Sequence, residues 1–299
     1  MREGVGGPAG LEDCLTLTGG VRLPRLGLGT WGLREGQEIR ETAACALAAG
    51  YRAFDAAAAY GNERGLGQAL RESGLPRDDF FVTSKVWNAD QGRGLTRRAC
   101  LESLDRLGLE RLDLYLLHWP CAGRSLEAWR DLEDLREAGL IRAAGVANFS
   151  QAQLGRLFAE ARLRPEVNQI ELHPYRRQEE LVAFCRAEGV AVMAYSPLAR
   201  GRVVKHQFFE KIGRRHGRTA AQTVLRWHWQ KGVALVPKSV RPDRVRENAD
   251  FFGFELSPEE MAAIDRQNQD RSVLKPPFQF DENGWVVEPA PHGQAAATS

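Results

Sequence analysis

The sequence predicts an α/β fold, a single-domain (β/α)8 TIM barrel, and three observations predict it. Short runs rich in β-branched and aromatic residues alternate with longer amphipathic patterns along the whole chain, as parallel βα units do. The short runs number eight over about 250 residues, which is the strand count and size of such a barrel. No shift in composition divides the 299 residues into two domains, and a doubly wound open sheet more often uses fewer strands.

The eight runs are residues 26–29, 51–55, 80–86, 112–118, 141–146, 167–171, 190–196 and 234–238. Helical patterns follow at 38–49, 96–107 and 126–138, and Gly50, Gly108, Gly139 and Gly189 stand where a left-handed C-cap would end a helix. The longest interval, between the seventh and eighth runs, leaves room for an extra segment at 203–217 ahead of a helix at 219–231. Ser-Pro-Glu-Glu from Ser257 opens one more capped helix, expected to reach Asn268. After Arg271, Pro276, Pro277, Phe278, Phe280 and Trp285 follow no period, and a flap is expected there. Residues 1–13 and 286–299 are expected to be flexible ends.

Lys and Arg total 41 against 39 Asp and Glu, so the net charge of +2 offers no strong field to nucleic acid or an anionic membrane. The five cysteines are odd in number, widely spaced and without a C-x-x-C pair. Neither a disulfide framework nor a thiolate zinc site is suggested, and no metal is expected. No stretch approaches the roughly 20 apolar residues that span a bilayer, and no leader pattern opens the chain. A cytoplasmic protein is expected.

Two features carry chemistry. Gly27, Gly29 and Gly32 fit G-x-G-x-x-G, with Asp55 about where a ribose-binding acid would stand. Pro24 just upstream, a run of about four residues and Trp31 inside the turn favour a glycine-rich strand end instead. The second feature is a set of polar residues at the ends of the runs: Asp55, Lys85, His118, Asn148, Gln169, Glu171, Tyr195, Ser196, Lys238 and Ser239. In a barrel these converge on one mouth. A Lys and an Asp facing a narrow apolar interior must pair. Tyr60, on the loop after Asp55, can reach that pair, and a neighbouring ammonium favours its phenolate and so its use as a proton shuttle.

The chain resembles the aldo-keto reductase superfamily through FDAAAAYGNE at 54–63, TSKVW at 83–87, LLHWP at 116–120, GVANF at 145–149, NQIELHP at 168–174 and VPKS at 236–239 with Arg244, Glu247 and Asn248. The likeness runs in order from about residue 15 to residue 268. The AAQTVLRW helix at 220–227 and the short connection after Pro120 make it most similar to the bacterial branch that includes 2,5-diketogluconate reductases. The resemblance implies NADPH-dependent reduction of an aldehyde or ketone, by a catalytic tetrad of Asp55, Tyr60, Lys85 and His118. Tyr60 would supply the proton and His118 would orient the carbonyl. It places Gly29, Thr30, Asn148, Gln169, Tyr195, Ser196 and Leu198 against the cofactor, with Tyr195 on the nicotinamide and Asn148 and Gln169 on its carboxamide. Lys238, Ser239 and Arg244 would contact a 2′-phosphate, with Val240 also at the cofactor and Glu247 and Asn248 near the adenine. Two cations there favour NADPH over NADH.

Trp31, Trp87 and Trp119 would wall the substrate pocket, left open by the short connection to Ser125. Two positions depart from the family pattern: Ala147 replaces a usual Ser, removing one hydrogen bond to the carboxamide, and Arg200 replaces a small residue. The implied division is a flexible N-terminus at 1–13, the barrel at 14–270, and a substrate loop with a disordered tail at 271–299, in a monomer. Two rivals remain at this level: a glycoside hydrolase using Asp55 and Glu171, and a nonenzymatic NADPH-binding redox sensor.

Overall fold

The structure, a computed structural model, describes residues 10–287. Eight parallel strands follow one another around the sheet in chain order: β3 (Gly27–Gly29), β4 (Ala53–Asp55), β5 (Phe81–Val86), β6 (Leu112–Leu117), β7 (Ile141–Ala147), β8 (Val167–Glu171), β9 (Ala191–Tyr195) and β10 (Ala234–Val236). Each lies within or one residue beyond its predicted run. The first and last close the barrel, because Leu26 bridges Leu235, the Leu235 N–H donates to Arg25 O at 2.7 Å and the Gly29 N–H to Pro237 O at 3.0 Å. Closure explains the glycines. A Cβ on Gly29 would stand 2.6 Å from Val236 O, so any side chain there would force the seam apart. The G-x-G pair is a closure device of the barrel, and the rival dinucleotide fingerprint falls away.

Strand period 2 sorts every strand into an inward and an outward column. Ala53, Phe81, Leu114, Leu116, Ala143, Ala147, Val167, Met193, Ala234 and Val236 fill the interior. Their neighbours Phe54, Val82, Tyr115, Leu117, Val146, Ile170, Ala194 and Leu235 face outward, onto apolar positions of the helices such as Ile39, Leu66, Leu104, Leu132 and Leu154. Following each inward column to its C-terminal end leads from Ala53 to Asp55, from Phe81 to Lys85, from Leu116 to His118, from Val167 to Gln169 and Glu171, and from Met193 to Tyr195. Alternation delivers these residues to one mouth, whereas Asn148, Ser196 and Ser239, one position out of the inward register, reach it from the loops beyond the strand ends.

The other end is closed by a hairpin that the sequence did not predict. Strands β1 (Cys14–Thr16) and β2 (Arg22–Pro24) pair antiparallel, and Leu17, Val21 and Leu23 pack onto the barrel interior as a floor. Three-residue strands are too short to show alternation. Asp13 ties the hairpin by accepting from Arg25 at 2.9 Å, so the chain is already held within the segment expected to be flexible. The outer parts of the two expected flexible ends, 1–9 and 288–299, lie outside the described residues.

Among the helices, Ala220–Gln230 is capped by Thr219 and Pro258–Asp265 by Ser257, each with a reciprocal bond from Gln222 or Glu260. The segment at 203–217 holds a 3-10 turn and a helix, Gln207–Arg215. Gly108 takes φ 65° after helix Leu95–Leu107, the left-handed cap its sequence position predicts.

Candidate active site

Lys85 is the centre of the site. It is fully buried, and its three N–H groups are all used: Asp55 Oδ2 accepts at 2.7 Å, Ala56 O at 2.8 Å and the Tyr60 hydroxyl at 3.3 Å. An ammonium can only donate, so the Tyr60 oxygen must accept, and its own proton is left to point elsewhere. The other Asp55 oxygen, Oδ1, accepts from Gln169 Nε2 at 2.7 Å. Tyr60 arrives on a 3-10 turn, Ala58–Tyr60, that directly follows β4. Its ring stands edge-on to His118 with centroids 5.6 Å apart, and His118 in turn meets Trp87 at 5.2 Å.

Enclosure sets the protonation states. Burial, then Asp55 and Tyr195, push the Tyr60 hydroxyl well above its ordinary value. The sequence predicted the opposite, a phenolate favoured by Lys85; desolvation of an anion inside the barrel outweighs the ammonium. Tyr60 is thus a loaded proton donor. Burial lowers Lys85 while Asp55 opposes it. Burial and the nearby Lys85 hold His118 well below its usual range, so its imidazole is neutral. His118 Nδ1 is buried with no partner among the described residues.

The mouth opens into a cleft of about 470 Å³, within the range of small-molecule sites. Asp55, Tyr60 and His118 lie at its base, Trp31, Trp87 and Trp119 along its walls. Gly29, Asn148, Gln169, Tyr195, Ser196, Leu198, Lys238, Ser239, Val240, Arg244, Glu247 and Asn248 line the rest. Two predicted residues sit behind the surface. Lys85 is beneath Tyr60, and Thr30 is fully buried, its hydroxyl donating to Asp55 O at 2.9 Å. Asn148, with left-handed φ of 66°, bridges the strands by donating to His118 O at 3.0 Å and accepting from the Tyr195 hydroxyl at 2.8 Å.

The two carboxylates of the hydrolase rival are both committed. Asp55 serves Lys85 and Gln169, while Glu171 accepts from Ser272 and Val273 and meets His173. The cleft is also lined by residues 274–278, within the 271–299 stretch expected to form a flap and substrate loop, and by a cation, Arg200, whose guanidinium lies 4.5 Å from the centre of the Trp31 ring. The aperiodic tail carries no signal of which residues it contacts there. Arg200 stood out only as a departure from the family pattern.

The model of the Aldo/keto reductase family matches residues 25–269. The chain belongs to that family. It is 44% identical to glyoxal reductase of Bacillus subtilis, over 89% of this chain and 96% of the relative. With methylglyoxal reductase DkgA of Escherichia coli O157:H7 it shares 39% identity over 89% of this chain and 97% of the relative. A crystal structure of an aldo-keto reductase of Bombyx mori in complex with NADP superposes with a TM-score of 0.84 at 35% identity, covering 89% of this chain and 96% of that one. The aldo-keto reductase described here is thus an oxidoreductase of a family whose members reduce carbonyl groups with NADP(H). Among the described residues no helix is long and apolar enough to cross a membrane.

Proposed function

We propose that this aldo-keto reductase reduces small aldehydes and ketones to alcohols, with Tyr60 as proton donor and NADPH as the preferred reductant. The observation that carries the reading is the exhaustion of Lys85: with all three of its donors spent, the Tyr60 oxygen accepts, which leaves its proton free for an acceptor in the cleft that Tyr60 lines.

The residues present suit the cofactor. Asn148 and Gln169 would hold the carboxamide, Gln169 through its carbonyl because its amide nitrogen is spent on Asp55. Tyr195 would lie against the ring, and Lys238, Ser239 and Arg244 would take the 2′-phosphate at the far end of the same cleft. When bound, the nicotinamide would supply the hydride.

The chain's own residues do the rest. The carbonyl oxygen would sit between the Tyr60 hydroxyl and His118, and the neutral imidazole would orient it by hydrogen bonding. As negative charge develops on that oxygen, Tyr60 releases its proton to it. The nascent phenolate is then stabilised by Lys85, 3.3 Å from the hydroxyl and 4.9 Å from the ring centre. The ammonium thus acts most strongly when the charge appears, which is where stabilisation accelerates a reaction. Three tryptophans wall the substrate end, a surface suited to flat or small apolar carbonyl compounds. Glyoxal and methylglyoxal, for which two relatives are named, are the first substrates to try. The reading includes a monomer acting in the cytoplasm, checked by light scattering and fractionation.

Purified protein should oxidise NADPH with a panel of aldehydes that includes glyoxal and methylglyoxal. Lys238→Ala should weaken NADPH about tenfold to hundredfold, the worth of a charge-assisted bond, and NADH about twofold or less. Equal losses for the two cofactors would contradict the 2′-phosphate site.

A further inference from the structure

Glu171 ends an inward column that the proposed chemistry leaves unused. Val167, Gln169 and Glu171 share the inner face of β8, so Glu171 stands one layer above the Gln169 that supports Asp55. Its side chain is 4% exposed. A carboxylate so enclosed must have partners, and two of them come from the start of the C-terminal tail. Oε2 accepts from the Ser272 hydroxyl at 2.6 Å and Oε1 from the Val273 N–H at 2.6 Å. His173 Nε2 at 3.0 Å and Arg176 at 3.5 Å complete the set. The Leu274 N–H donates to the same Ser272 oxygen at 3.0 Å, which sets the direction in which the chain leaves.

The stretch that leaves is the fourth wall of the cleft. Residues 274–278 line it, and Phe278 packs on Trp119 and Trp87 with centroids 5.1 and 6.0 Å apart. Beyond Phe280 the tail is pinned again, because the Val286 N–H donates to Pro120 O at 2.8 Å and Gln153 Nε2 to Gly284 O at 3.0 Å. From Leu274 to Phe278 no helix, strand or bridge orders the backbone, and backbone pairing resumes only where the Val287 N–H donates to Gln279 O at 3.2 Å. A stretch without ladder hydrogen bonds keeps its place only through its ends and its side-chain contacts.

We infer that Glu171 is a positioning residue for substrate specificity: it pins the tail at Ser272 and Val273 so that Phe278 closes the substrate pocket against Trp87 and Trp119. This rests on the reductase reading for its kinetic consequence, not for the pin itself. Because the pin acts through Phe278, it affects binding of the carbonyl compound and leaves the proton donor alone.

In the full-length protein, Glu171→Gln keeps the side-chain volume but turns one acceptor into a donor facing the tail. It should raise KM for an aldehyde about tenfold, with kcat and the NADPH dissociation constant within about twofold. Ser272→Ala, which keeps the carboxylate, should raise KM about threefold and serves if the first variant fails to fold. Phe278→Ala should raise KM at least as much as Glu171→Gln, and the double variant no more than Phe278→Ala alone. Both pin variants should speed trypsin cleavage after Arg271, a measurement that needs no turnover. Multiplying effects in the double variant, or a loss of NADPH affinity as large as the rise in KM, would overturn the assignment. Unchanged cleavage would overturn the pin with the reductase intact, whereas faster cleavage in a chain that reduces no carbonyl would leave the pin and remove the reductase reading.

Discussion

The two ends of the barrel bury charge in opposite ways. At the floor, Asp113 is fully enclosed and both of its oxygens are met: Oδ2 by Arg77 at 2.7 Å and the Val82 N–H at 2.8 Å, Oδ1 by Arg142 at 2.9 Å. Glu166 likewise binds Arg136 at 2.7 Å and the Gly19 N–H of the hairpin turn at 2.6 Å. At the mouth, the Asp55–Lys85 pair is as deeply buried, but it leaves the Tyr60 proton free of the ammonium, and His118 Nδ1 has no partner among the described residues. Asn148 and Ser196 hold left-handed backbone angles there, φ 66° and 49°. A carboxylate with both oxygens paired resists change, while an unpaired imidazole nitrogen beside left-handed backbone is ready to bind something else. Stability and reactivity are thus separated along one axis of one sheet.

Tyr60→Phe would break that separation most sharply. It should lower kcat about a thousandfold while NADPH affinity and thermal midpoint stay nearly constant, because the phenolic proton is used and the ring's packing is kept. A variant with surviving activity would mean the proton comes from elsewhere. Asp113→Ala should do the reverse, costing about 3 kcal/mol of unfolding free energy by denaturant titration with KM unchanged, since two guanidinium groups lose their shared carboxylate. A large KM effect would show that the floor is coupled to the mouth.

A smaller effect is expected at the rim. Arg200→Gln removes the cation over Trp31 and should raise KM for substrate or cofactor about threefold, with stability unaffected. The smallest effect concerns pH. With Tyr60 held up and His118 held down, kcat for reduction should be flat from about pH 6 to about pH 9, and a step near 6.5 would contradict a neutral His118. Stability behaves differently. His118 and His228, the latter lowered to about 3, bind protons more readily unfolded than folded. Stability is therefore intact above about pH 6.5 and falls on acidification, by roughly 1.4 kcal/mol per pH unit for each histidine until its folded value is reached.

The strands and the mouth were legible because alternation is local. Val167, Gln169 and Glu171 fall on one face wherever the strand sits, and the same holds for Phe81 and Lys85. The floor hairpin was not legible, since Leu17, Val21 and Leu23 reveal themselves as a plug only once a barrel interior exists to receive them. The sign of the Tyr60 shift was also out of reach. A nearby lysine can be read from spacing, but the desolvation that outweighs it depends on how completely the surrounding elements exclude water.

By itself the amino-acid order determined the eight strands, the closing glycines' place, and the positions of Asp55, Tyr60, Lys85, His118, Lys238 and Arg244 at or next to the strand ends, because each follows from periods of two to four residues or from a contiguous motif. Only the tertiary structure decided what Glu171 and Arg200 touch, and where residues 274–278 lie. Those contacts join residues about a hundred or more positions apart along the chain, such as Glu171 with Ser272 and Arg200 with Trp31. No local pattern encodes such a pairing, since the free energy that selects it arises from packing between finished elements.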